Sequence, residues 1–144
     1  MLIDRQSTVS LNQAITATAV STDSIDLRNA RDLGAGDPIE LVIICTQSVA
    51  GGASINFELI TSANSDLSSP TSLVSTGAIA VASITAGTEW LRIRVPVADL
   101  SRYLGVRYTV VGTPTAGTFT ATFTADQNRQ ANRQYASGVP VGGY

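Results

Sequence analysis

The chain predicts an all-β fold: a two-sheet antiparallel sandwich of jelly-roll type, with about eight strands and an irregular C-terminal tail. Three observations predict it. No segment sustains a helical period. Short alternating or apolar runs are punctuated by Gly, Pro, Asn, Asp and Ser. The whole is 144 residues long, which suits one domain with a core large enough to need no staples.

The elements follow in order. Residues 7–11 and 24–27 are weak strand signals. Residues 38–46 are apolar on both faces, as expected of a central strand. Ile55-Asn56-Phe57-Glu58-Leu59 alternates, with the apolar trio inward. Residues 65–70 read as a loop, and 72–79 as a strand with a kink at Gly77. In residues 89–95, Leu91, Ile93 and Val95 share one face, while Trp90, Arg92 and Arg94 share the other; Pro96 stops the strand. In residues 102–110, Leu104, Val106, Tyr108 and Val110 face in, and Tyr103, Arg107 and Thr109 face out. Residues 118–125 alternate strictly, with Phe119, Ala121 and Phe123 inward and the threonines outward. Turns are expected at Gly34–Asp37, Gly51-Gly52, Gly112-Thr113-Pro114 and Ala116-Gly117.

The sandwich domain therefore spans 1–126. From 127 to 144 the chain loses its apolar periodicity and all acidic side chains, the composition of an extended tail or arm. The opening residues lack the basic and apolar regions of a signal peptide. No stretch approaches the ~18 apolar residues of a membrane span. A soluble chain made in the cytosol is expected, without a membrane partner.

Charged residues make up only 14% of the chain, and Ser, Thr, Ala and Gly replace them. A hydroxyl-rich surface is cheaper to dehydrate than a charged one and suits burial against a partner; it is equally the dress of an ordinary β-protein. The net charge of −2 argues against nucleic acid, which needs a basic footprint. The nine cations are all Arg, a residue suited to bidentate interface contacts. The one cysteine, Cys45, lies in the apolar run and reads as a buried, inert thiol.

Chemistry is hard to assemble from this inventory. There is no His and no Lys. That removes Ser-His-Asp and Cys-His catalysis, His-ligated zinc, Schiff bases and the P-loop. Asp23 and Asp26 lie close together, as do Asp32, Asp37 and Glu40. A calcium loop is conceivable from the second group, but the spacing matches no calcium loop, and acids solvated in turns, with Asp32 and Asp37 bonding to turn backbone, fit better. No catalytic residue, cofactor site or metal site is expected, and the chain is not expected to be an enzyme.

Two groups of residues are candidates for a protein interface. The first is the stripe Trp90, Arg92 and Arg94. It fits intramolecular pairing with neighbouring acids, a protein contact, or a stacking platform for glycan or nucleic acid, in that order. The second is the tail, where Arg129 and Arg133 stand four apart and Tyr135 and Tyr144 offer anchors. A passive terminus and an arm that orders on a neighbour both fit.

Several stretches also resemble a known family in their order along the chain. They are Met1-Leu2-Ile3-Asp4-Arg5-Gln6, residues 13–22, Ile25-Asp26-Leu27, residues 30–36, Asp66-Leu67-Ser68-Ser69-Pro70-Thr71, residues 75–79 and residues 102–108. This order resembles the capsid cement (decoration) proteins of tailed bacteriophages, of the type described in a Bordetella phage. The resemblance covers residues 1–126. It implies a jelly-roll protein on the outer surface of the virion that clamps major capsid protein subunits and associates with itself as a homodimer or homotrimer. It carries over no catalytic residue. The alternative is a phage tail or receptor-binding β-domain that recognises glycans, for which Trp90 would stand open. A calcium-binding accessory module is the remaining reading.

Overall fold

The computed structural model describes residues 4–28, 39–87, 89–96 and 99–125, and the side chains of all of these except Trp90 and Ala125. A short 3₁₀ turn, Arg5–Ser7, opens the chain, with the Asp4 carboxylate accepting from the Gln6 N–H. Among the described residues nine strands follow: β1 (Thr8–Ala14), β2 (Ala19–Val20), β3 (Ile25–Asp26), β4 (Ile39–Gly51), β5 (Ser54–Ser62), β6 (Thr71–Ala80), β7 (Glu89–Arg94), β8 (Tyr103–Val111) and β9 (Pro114–Ala125).

The strands form two antiparallel sheets. One has the order β1-β9-β4-β7; the other has the order β2-β8-β5-β6, with β3 also paired to β8. The pairs nest: β1 with β9, β2 and β3 with β8, β4 with β7, and β5 with β6. An antiparallel ribbon rolled once around a core gives this nesting, so the sandwich is a jelly roll.

The expected eight strands become nine because one strand position is split. Ser21 interrupts the edge between β2 and β3. Its N–H donates to the Val106 carbonyl at 2.7 Å, and its Oγ accepts from the Val106 N–H at 3.1 Å. A side chain thus stands in for a ladder carbonyl, and the backbone is freed to step away from the sheet.

The inward faces are those the alternation predicts. Leu41, Ile43 and Cys45 on β4, Ile55, Phe57 and Leu59 on β5, Ile93 on β7, Leu104, Val106 and Tyr108 on β8, and Phe119, Ala121 and Phe123 on β9 form one cluster. Burying each large apolar side chain contributes roughly 1.5–3 kcal/mol. At its centre Phe57 meets Phe119 across the two sheets at 5.2 Å, edge to face, and Tyr108 lies 5.8 Å from each. Tyr108 is fully buried and its hydroxyl donates to Ser10 Oγ at 2.9 Å. Ser10 Oγ donates on to Gln13 Oε1, which also accepts from the Thr22 N–H. This chain ties β8 of one sheet to β1 of the other. Burial pushes the Tyr108 phenol well above its ordinary value. Cys45 is buried in the central strand β4 as expected, its thiol raised by burial and donating to the Gln47 carbonyl.

Two expectations need correction. Ala116-Gly117 is no turn: both residues lie inside β9. Gly117 has φ +141° and is crossed by Val49, whose Cγ2 would sit 2.9 Å from a Cβ there, so the glycine serves a close strand crossing. The threonine face of β9 is not all outward-exposed. Thr120 and Thr122 are buried, the first accepting from the Asn12 N–H, the second beside the Ser7 and Thr8 hydroxyls. The N-terminal turn and bulged β1 cover them. The loop expected at residues 65–70 is present, and within it Leu67 is buried, with φ +57°. The β5–β6 loop folds back over the outer face of its sheet and sets Leu67 on Gly105 of β8. The kink at Gly77 is present, with φ +73° and a register shift between Asn56 and Glu58. The expected turn at residues 34–37 lies outside the described residues.

The register gives the molecule two poles. At one, Gly51 pairs with Pro114 and Ser54 with Val111; at the other, Ile39 pairs with Ala125 and Ser62 with Tyr103. The glycine-rich pole carries the β1–β2, β4–β5, β6–β7 and β8–β9 connections. The opposite pole carries the N-terminal turn and the β5–β6 and β7–β8 connections.

Candidate protein interface

The stripe on β7 lies on the outer face of the first sheet. Arg92 is opposite Val42 in register, and Arg94 is opposite Glu40. Their outward direction follows from Leu91 and Ile93, which the core claims. The Arg92 guanidinium bonds both carboxylate oxygens of Glu89 and one of Glu40. Glu89 and Glu40 together hold it above its usual value, so it carries its charge at every working pH. Intramolecular pairing, the first of the readings of this stripe, describes Arg92. Arg94 is exposed. The side chain of Trp90 lies outside those described, as do the tail residues Arg129, Arg133, Tyr135 and Tyr144.

The second sheet carries a network on its outer face that the sequence reading did not single out. Glu58 on β5 accepts from Arg107 Nε at 2.7 Å and Nη2 at 2.9 Å, from Thr109 at 2.9 Å and from Ser72 at 3.2 Å. Three strands are thereby cross-linked by one carboxylate. The Arg107 guanidinium holds the Glu58 carboxyl below the usual range against the opposing effect of burial, with Thr109 assisting. The signal was present in period 2: Asn56 and Glu58 alternate with core residues on β5, as Arg107 and Thr109 do on β8.

Two further pairs stand near the N-terminal pole. Arg102 grips Asp26 with two bonds of 2.9 Å, and Arg5 reaches Asp23 at 3.0 Å. Asp26 is lowered to about 2, first by Arg102 and then by the Arg28 N–H. Asp23 and Asp26 are thus matched to arginines, and Glu40, from the group weighed for calcium, accepts from Arg92. Asp32 and Asp37 lie outside the described residues. Among the described residues, no group of three or more His, Cys, Asp or Glu is placed to hold a metal ion.

The same pole opens into a cleft of about 340 Å³, walled by Ile25, Leu27, Ile39, Leu104 and Phe123, with Asp4 beside them. Its walls are apolar and offer few convergent donors, unlike a site tuned to one polar ligand.

The architecture defines a class: a jelly-roll sandwich whose ion pairs brace its own sheets. The family model Bbp16 matches residues 9–123, from β1 to β9. The chain belongs to the Bbp16 family, a phage protein family named for a Bordetella phage protein. No curated protein matches the chain.

Proposed function

We propose that the chain is a cement, or decoration, protein of a phage head. It binds the outer surface of the capsid, bridges major capsid protein subunits, and associates with itself as a homodimer or homotrimer. Membership of the Bbp16 phage family is the observation that carries this reading. The physical character of the molecule supports it. A rigid sandwich with sparse charge makes many modest contacts at low dehydration cost, and repetition over a shell converts modest affinity into high avidity. The role asks for no catalytic group, cofactor or metal, and the chain has neither His nor Lys to supply the commonest ones.

Cryo-electron microscopy of the native virion tests the proposal. Density for the sandwich is expected on the outside of the shell, touching more than one capsid subunit. Density inside the shell or in the tail, or no density at all, overturns it.

A further inference from the structure

Among the described residues, charge is segregated between the two poles of the sandwich. The sequence stretches 6–22, 41–57, 67–88 and 108–125 contain no Asp, Glu or Arg. The fold brings all four to one place. Each stretch contains one of the connections of the glycine-rich pole, whose described residues are 15–18, 52–53, 81–87 and 112–113. The described charged residues lie at the middle of the sheets or toward the other pole, with Glu58 and Arg107 facing each other midway along β5 and β8. Solvated loop tips ordinarily carry charge, and the centres of protein interfaces are depleted of it.

This pole is also built rigidly. The β4–β5 and β8–β9 turns interlock backbone against backbone. A Cβ on Gly112 would come within 2.9 Å of Gly52 Cα, and one on Gly52 would meet the Pro114 ring at 2.9 Å. The Ala53 N–H donates to the Val111 carbonyl at 2.8 Å, and the Val81 N–H to the Ala53 carbonyl at 3.1 Å. The three connections form one unit with few long side chains to immobilise. Val111 stands 55% exposed on it. A surface so arranged loses little entropy on binding.

We infer that the glycine-rich pole is the docking end of the molecule, and that its partner is an uncharged, hydroxyl- and amide-bearing patch on the capsid subunit. This inference rests on the cement reading above. A charged partner patch would be dehydrated here with no opposite charge to meet it. Nucleic acid is unsuited because the described residues of the pole offer no cation for phosphate. A second copy docked pole to pole is unsuited by size. The four connections present roughly 15 residues, fewer than the 20–30 a side of a stable pairwise interface. A contact of that size holds when it is one of many on a repeating lattice.

The test uses empty shells of the major capsid protein of the phage from which this chain comes, and co-sedimentation of the full-length protein with them. Ala82→Glu with Thr113→Glu places two carboxylates on the pole at exposed positions. About tenfold or greater loss of binding is expected, because unpaired charges are buried. Ala63→Glu with Ser65→Glu adds the same charge at the opposite pole and should bind within about twofold of wild type, as should the neutral Ala82→Ser with Thr113→Ser. Circular dichroism melts check that each variant folds. Should the first variant fail to fold, hydroxyl-radical footprinting of the wild type on shells replaces it, and protection of residues 81–87 and 111–113 is expected. Wild-type binding by the A82E/T113E protein, or an unprotected pole, overturns the inference and leaves the cement reading standing. A change in the free protein's sedimentation on charging the pole marks a self-contact and also overturns it. Failure of the wild type to bind shells at all removes the cement reading, and this inference with it.

Discussion

Gly105 shows how much one position can control. Its missing side chain is the space that Leu67 fills; a Cβ there would lie 2.3 Å from Leu67 Cδ1 and 2.9 Å from Ser21 Oγ. Leu67 is held in the left-handed region by a loop that Asp66 and Ser62 brace, the Asp66 carboxylate accepting from the Ser68 N–H and Ser62 Oγ donating to the Ser68 carbonyl. Gly105→Ala is therefore expected to cost about 1–3 kcal/mol, the range of overpacking in a formed core. Urea denaturation measures it. Leu67→Ala empties the same space, so the double variant should lose clearly less than the sum of the singles. Additive losses would show that the two residues do not share that space. The local sequence gives no hint of the contact: Leu67 stands alone in a polar run, and its partner lies 38 residues on.

At the scale of the element, β5 and β8 are coupled by Glu58 and Arg107. The Glu58 carboxyl is lowered in the folded protein, so its ionised form stabilises the fold. That contribution is complete above the unfolded value of about 4.3 and is lost as pH falls through the lower folded value. Asp26, lowered to about 2, acts in the same sense. The urea midpoint should be flat from pH 7 to about 5 and should decline between about pH 4.5 and 2. Glu58→Gln should lower stability at pH 7 and flatten that decline. A variant with an unchanged acid slope would assign the pH dependence elsewhere. The alternation of both strands was legible from their residues, and so was the outward direction of Glu58 and Arg107. Their pairing was not. It depends on which strands are neighbours and in what register, and 49 positions separate the two residues. The misread turn at Ala116-Gly117 has a related cause. Glycine marks both a turn and a close approach of another backbone, and only the position of Val49 distinguishes them.

At the scale of the whole molecule, the last described strand ends at Ala125 beside the N-terminal pole, opposite the uncharged one. Residues 127–144 follow the sandwich in sequence and fall outside the 9–123 family match. We propose that they act as an arm, with Arg129, Arg133, Tyr135 and Tyr144 as its contacts. Deleting them should leave the thermal melt of the sandwich unchanged within a few degrees, since the core cluster of the described residues is already built from residues 9–123. Shell occupancy or self-association, measured by co-sedimentation and analytical ultracentrifugation, should fall. Unchanged occupancy and unchanged association together would show the tail to be passive.

The sequence by itself determined the all-β class, the inward face of each major strand and the want of the usual catalytic side chains. These are local properties: a period of two is written in neighbouring residues, and an inventory needs no geometry. Only the tertiary structure decided that β1 lies beside β9, that Arg92 answers Glu40 and Glu89, and that Leu67 belongs to a buried contact. It also decided that four uncharged stretches, scattered along the chain, meet at one pole. Each of these depends on contacts between residues far apart in sequence, and the rolling of the ribbon, rather than any single stretch of it, brings them together.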